Sequence, residues 1–153
     1  METLHVFGTG EVERAVACLA FSVTVSVKKS ACLAKRRVDL SQDGGGLLAV
    51  VDEATEPRLS VWEWQDENKV AAARCSGDPV LAVTFSREST QRVVTSGKNS
   101  LVFWSLEDGA LKKRTAVYGS HPKPKFTTAV AFTESGQTIT GDNNGNIFFW
   151  KEG

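Results

Sequence analysis

At 153 residues, with 41% hydrophobic and 24% charged side chains, the chain has the length and balance of one globular domain, which excludes a wholly disordered polypeptide. Eighteen Lys plus Arg stand against eighteen Asp plus Glu, so no global field draws it to nucleic acid or an anionic membrane. No run reaches the roughly 18 apolar residues of a membrane helix, and the N-terminus lacks the basic and apolar regions of a secretion signal. Cys18, Cys32 and Cys75 are odd in number and show no CxxC spacing, so they read as reduced thiols in a cytosolic protein.

In chain order, TLHVFG (3–8) comes first and reads as an outer β-strand whose companions would precede it. AVACLAFS (15–22) then opens a phrase of alternating apolar residues ending in Phe and Ser. The same phrase returns as VLAVTFS (80–86) and TTAVAFT (127–133), and each copy is followed by a second phrase ending in Trp: RLSVW (58–62), SLVFW (100–104) and NIFFW (146–150). The markers of the repeat are therefore Phe21, Phe85 and Phe132, and Trp62, Trp104 and Trp150. Trp62, Trp104 and Trp150 lie 42 and 46 residues apart, close to the roughly 40–45 residues of a four-stranded propeller blade. No stretch carries a helical apolar stripe, while Val, Thr, Phe and Trp at period two are strand residues. The expected fold is all-β: about three four-stranded antiparallel blades of a partial WD-repeat β-propeller, with the ring not closed.

The middle unit assigns VLAVTFS as inner strand, RVVTSG (92–97) as second, NSLVFWSL (99–106) as third and KRTAVYG (113–119) as outer strand. Asn144-Gly145 is a hairpin signal because both residues tolerate φ > 0, and Asp108-Gly109 and Ser135-Gly136 mark further bends. The expected organisation is blade one at 15–75, blade two at 80–119 and an incomplete blade three at 127–153. Three blades do not make a ring that usually needs at least four, so the remaining blades would be needed for a closed fold.

Blade one contains a misfit. From Phe to Trp there are 19 residues in unit two and 18 in unit three, but 41 in unit one. GLLAVVD (46–52) resumes the second strand, which leaves 23–43 as an insertion. Five of its residues, Lys28, Lys29, Lys35, Arg36 and Arg37, are basic. Three readings of it stay open: a solvated loop, a localisation or acidic-partner patch, and retained non-coding sequence.

The phrases VDEATEPRLSVWEW (51–64), SGKNSLVFW (96–104) and KPKF (123–126) make the chain closely similar to the first propeller of the EML (echinoderm microtubule-associated protein-like) family, over nearly everything except 23–43. Glu56, Lys98 and Asn144 stand where WD repeats commonly have Asp, so the blades read as lacking the usual polar staple of His, Ser or Thr, Asp and Trp. EML propellers resemble this degenerate type. The coiled coil, basic linker and HELP motif that precede the propellers in that family are not in this sequence. The resemblance implies a non-enzymatic scaffold of the cytoplasm and cytoskeleton that binds tubulin or microtubules, without a cofactor, and other proteins through its loops.

The cluster Lys112, Lys113, Arg114, Lys123 and Lys125 is the candidate tubulin-facing surface. Its plain alternative is a solvated face, and its rivals in function are a propeller that binds other proteins without tubulin and an RNA-binding module. Against RNA, the aromatics sit at alternating strand positions, where they pack between blades. Catalysis has little to draw on: the histidines are His5 and His121, and the pairs Asp52-Glu53 and Asp66-Glu67 read as solvated turn residues. GDNNGN (141–146) places Asp142, Asn144 and Asn146 at calcium-ligand spacing but lacks the Glu at the twelfth position, which favours a hairpin turn and no metal.

Overall fold

A computed structural model describes residues 16–21, 38–40, 46–86, 89 and 91–151, with the strands 16–21 and 38–40 described by backbone alone. The expected strand at 3–8 and most of the expected insertion therefore lie outside the described residues. Among the described residues there is no helix. Three sheets form in succession, as the repeated phrases require of an all-β chain.

The first sheet contains β1 (Val16–Phe21), β2 (Val38–Leu40), β3 (Leu47–Asp52), β4 (Arg58–Glu63) and β5 (Asn68–Arg74), in the order β2-β1-β3-β4-β5. The second runs β6 (Val80–Phe85), β7 (Arg92–Gly97), β8 (Ser100–Glu107) and β9 (Ala110–Thr115) in sequence order. The third has β10 (Thr127–Phe132), β11 (Thr138–Asp142) and β12 (Ile147–Trp150). Neighbours pair antiparallel except β2, which lies parallel to β1 with Leu19 opposite Val38. Blade one thus has five strands where four are expected, and the fifth comes from within the segment read as an insertion.

Hairpin chemistry sets the strand limits. Asp108 (φ 52) and Gly109 (φ 73) close a two-residue turn between Glu107 and Ala110, the pairing of a type I′ hairpin. That turn starts the outer strand at Ala110 rather than at the expected Lys113, and the outer strand ends at Thr115. Asn144-Gly145 instead sits inside a longer turn over 143–146, with only Gly145 at positive φ (84) among the two.

The register brings the two sequence phrases onto one row of each sheet. Phe21 pairs Leu48, which pairs Trp62; Phe85 pairs Val93, which pairs Trp104; Phe132 pairs Thr138, which pairs Trp150. Two residues along the second strand, Thr95 accepts the Trp104 indole N–H at 2.9 Å and Thr140 accepts that of Trp150 at 2.9 Å. In blade one this position is Val50, which has no acceptor side chain. Ser60 supplies it from the third strand instead, accepting from Trp62 at 3.0 Å and donating to the Val50 carbonyl at 3.3 Å. Half of the polar staple read as missing, the hydroxyl–tryptophan bond, is therefore present in all three blades.

The core lies between the sheets. Ala49, Val51, Leu59 and Val61, each with no exposure, project from blade one onto Val83, Phe85, Val93 and Trp104 of blade two. At about 1.5–3 kcal/mol for each large apolar side chain buried, this contact outweighs a Trp hydrogen bond worth about 1 kcal/mol, so stacking supplies stability and the staple fixes register. Gly97 ends β7 where a Cβ would run into the Pro79 carbonyl oxygen. Gly97→Ala is expected to destabilise by about 1–3 kcal/mol through overpacking, and Thr95→Val by about 1–3 kcal/mol by stranding the buried indole N–H, both read as a lowered urea midpoint.

Candidate interaction surface

Strands that alternate up and down place the turns on two rims. One rim carries the first-to-second and third-to-fourth strand turns: Trp64–Glu67, Asp108–Gly109 and Thr133–Gln137 among those fully described. The other carries the second-to-third strand turns and the connections between blades, namely 53–57, 75–79, Lys98–Asn99, 116–126 and 143–146.

The five basic residues singled out from the sequence divide between strand β9 and the connection that leads to blade three. Lys113 pairs in register with Trp104, holds its ammonium 5.7 Å from that ring and donates to the Cys75 carbonyl at 2.8 Å, tying β9 to blade one. Its repeat counterpart is Lys69, in register with Trp62 and 5.5 Å from that ring. The same row of the first two sheets thus ends in a lysine over the tryptophan, a structural use that the count of basic residues hides. Lys112 is ion-paired with Glu107, and Arg114 lies on the outer strand beside Phe103 in register. Lys123 and Lys125 are exposed on the connection between blades two and three.

That connection is held in place. Asn99, at φ 47, donates its backbone N–H to the Lys125 carbonyl at 2.7 Å. Phe126 donates to the Asn143 side chain at 3.0 Å and accepts from the Asn143 backbone at 3.1 Å. Further along, Tyr118 stands edge-on to Phe148 and Trp150 at 5.4 and 5.1 Å between centroids, and Phe103 of blade two lies 5.7 Å from Trp150. Lys98 belongs to the same seam: it bridges to Phe126 and its ammonium lies 3.8 Å from Asp78. Sequence reasoning used Lys98 only as a failed WD aspartate, because nothing local shows that residues 98 and 125 become neighbours.

The 141–146 turn is satisfied internally. Asp142 accepts from the Asn144 and Asn146 backbones at 2.8 Å and from the Asn146 side chain at 2.9 Å. Burial pushes its carboxyl up, but these hydrogen bonds outweigh burial and hold it below the usual aspartate range. Asp52 is its counterpart in blade one, accepting the Arg58 backbone N–H at 2.7 Å; it is buried, not the solvated turn residue that the sequence suggests, because it closes the turn into β4. Gly97 takes this position in blade two. Among the described residues, no three of His, Cys, Asp and Glu gather as metal ligands. The Cys75 thiol is buried, and desolvation raises it to about 11, against the lowering effects of a backbone hydrogen bond and of Lys113, so it is a protonated core group at neutral pH.

Comparison with known proteins decides the family. The family model described as the echinoderm microtubule-associated protein first beta-propeller matches residues 1–153. The chain belongs to this family. It is 40% identical over 153 residues to echinoderm microtubule-associated protein-like 2 of Mus musculus, covering 100% of this chain and 21% of that protein. It is also 40% identical over 154 residues to the 77 kDa echinoderm microtubule-associated protein of Strongylocentrotus purpuratus, covering 100% of this chain and 20% of that one. The chain therefore spans about a fifth of the length of these relatives. Among solved structures, a β-propeller domain of Cps50 (Swd1) from Myceliophteria thermophila aligns with TM-score 0.60 at 14% identity, over 88% of this chain and 38% of that one. A chain of the mitotic checkpoint complex aligns with TM-score 0.57 at 20% identity, over 71% of this chain and 34% of that one. These two likenesses show the fold: a β-propeller arc, open rather than closed.

Two consequences are measurable. Lys113→Ala should cost about 1 kcal/mol in urea unfolding, whereas Lys112→Ala should stay within about 0.5 kcal/mol, since an exposed ion pair contributes little. The native Asp142 carboxyl lies below its unfolded value, so its stabilisation is complete above the ordinary value of about 3.9 and is lost as pH falls through the lower native one. Asp142→Asn should accordingly flatten the fall in melting temperature on acidification below about pH 4.

Proposed function

We propose that this propeller arc is a non-enzymatic scaffold of the cytoskeleton that attaches to microtubules or tubulin and presents its loops to other proteins. The observation that carries the reading is family membership across residues 1–153, in a family whose members are named as microtubule-associated proteins. The site geometry agrees with a role in contact rather than chemistry. The polar side chains with unusual environments, Asp52, Asp142 and Cys75, each serve a turn or the core. The exposed rim turns are short and polar and carry both acids and lysines, which suits recognition of a protein surface.

The test is co-sedimentation of the 153-residue chain with taxol-stabilised microtubules at low ionic strength. The expected result is saturable pelleting that weakens as salt rises, because exposed charge pairs are screened beyond about 10 Å at 0.1 M. A chain that stays in the supernatant at every microtubule concentration while retaining a folded near-UV spectrum overturns the microtubule reading.

A further inference from the structure

Among the described residues, charge is sorted between the two rims. The three fully described turns of one rim contain Asp66, Glu67, Asp108 and Glu134 and no basic residue. On the other rim, the blade two and three segments 75–79, 98–99, 116–126 and 143–146 contain Lys98, Lys123 and Lys125 against the single acid Asp78. The acids of blade one on that rim, Glu53 and Glu56, lie in the turn at 53–57, and Glu56 is paired with Arg74 at 2.8 Å. Strands of six residues separate the rims by about 20 Å, roughly two Debye lengths at 0.1 M salt, so a partner at one rim does not feel the other.

We infer that the rim over the seam of blades two and three, carrying Lys98, Lys123 and Lys125, docks an acidic, extended polypeptide segment. The inference rests on the scaffold reading above and gives that scaffold a surface and a partner chemistry. Charge complementarity selects the occupant. Lys123 and Lys125 are both exposed on either side of buried Pro124, an i, i+2 spacing that matches carboxylates on alternate residues of an extended chain. Lys98 lies across from them, brought there by its bridge to Phe126 and by the Asn99–Lys125 hydrogen bond. Val117, 84% exposed on the same connection, offers an apolar contact beside the charges. Nucleic acid fits less well, because among the described residues of this rim Phe126 is half-buried beneath Lys125, Tyr118 is packed against Phe148 and Trp150, and the His121 ring stands edge-on to Phe148. The β9 residues lie in the outer strand rather than in the turns of this rim, with Lys113 donating to the Cys75 carbonyl and Lys112 ion-paired with Glu107, whereas Lys98 on the rim has Asp78 at 3.8 Å.

The probe is a fluorescein-labelled oligoglutamate titrated with the full chain and followed by anisotropy at about 50 mM salt. Saturable binding is expected, weakened about fivefold to tenfold in Lys98→Gln/Lys123→Gln/Lys125→Gln and less than about twofold in Lys112→Gln/Arg114→Gln. Near-UV circular dichroism and the urea midpoint establish that both variants are folded like the parent. Absence of oligoglutamate binding, equal loss in the two variants, or displacement of the probe by oligouridylate at lower concentration than by unlabelled oligoglutamate would each overturn the inference. Oligoglutamate binding without microtubule pelleting supports the rim and sinks the microtubule reading. Microtubule pelleting without oligoglutamate binding does the reverse.

Discussion

A propeller blade is a sheet with two apolar faces, and most of its stability comes from the sheets stacked on either side. The value of a covering neighbour can be read within this one molecule, because the same register positions recur. Leu59 and Val61 on the third strand of blade one are fully buried, and Leu101 in blade two is 1% exposed. Ile147 and Phe149, at the matching positions of blade three, are each 67% exposed. With about 1.5–3 kcal/mol for each such side chain, the burial that Leu59, Val61 and Leu101 obtain is not matched at Ile147 and Phe149. Ile139, Ala131 and Ala129 lie beside them across the sheet, so the uncovered surface is a continuous face rather than a stray residue.

Within that stack, polar bonds choose the alignment. Thr95 and Thr140 hold their tryptophans from the second strand, while blade one, with Val50 at that position, recruits Ser60 from the third. A hydroxyl reaches the same indole nitrogen by two routes, which indicates that the bond matters more than the strand that supplies it. The turn after the second strand shows a similar substitution. Asp52 and Asp142 accept backbone N–H groups there, and in blade two the close approach of the Pro79 carbonyl leaves room only for Gly97. The blades have thus drifted from the common WD pattern in residue identity while keeping its hydrogen-bond logic.

This explains what the sequence disclosed and what it did not. Period-two phrases and the spacing of Trp62, Trp104 and Trp150 revealed blades, because strand alternation and repeat length are local properties. The joining of Phe85, Val93 and Trp104 into one row follows from antiparallel register and was implicit in the order of the phrases. Long-range placements were not legible. Val38–Leu40 pairs parallel with β1 from inside an apparent insertion, and no local signal distinguishes a short strand there from loop. Charge count likewise registers Lys112, Lys113 and Arg114 as one group, whereas strand alternation turns Lys113 to the face opposite Lys112 and against Trp104.

The uncovered face and the basic rim are mechanically connected. Lys125 and Phe126 are fixed by Asn99 on one side and Asn143 on the other, so the rim exists only while blade three remains docked on blade two. The aromatic contacts of Tyr118 and Phe103 with Trp150 and Phe148 maintain that docking from within the seam. Any layer that covers Ile147 and Phe149 binds only the folded form of blade three and therefore raises the population in which the three lysines share one surface. Cover of that apolar face and the shared placement of the three lysines are in this way thermodynamically linked through the folding of blade three.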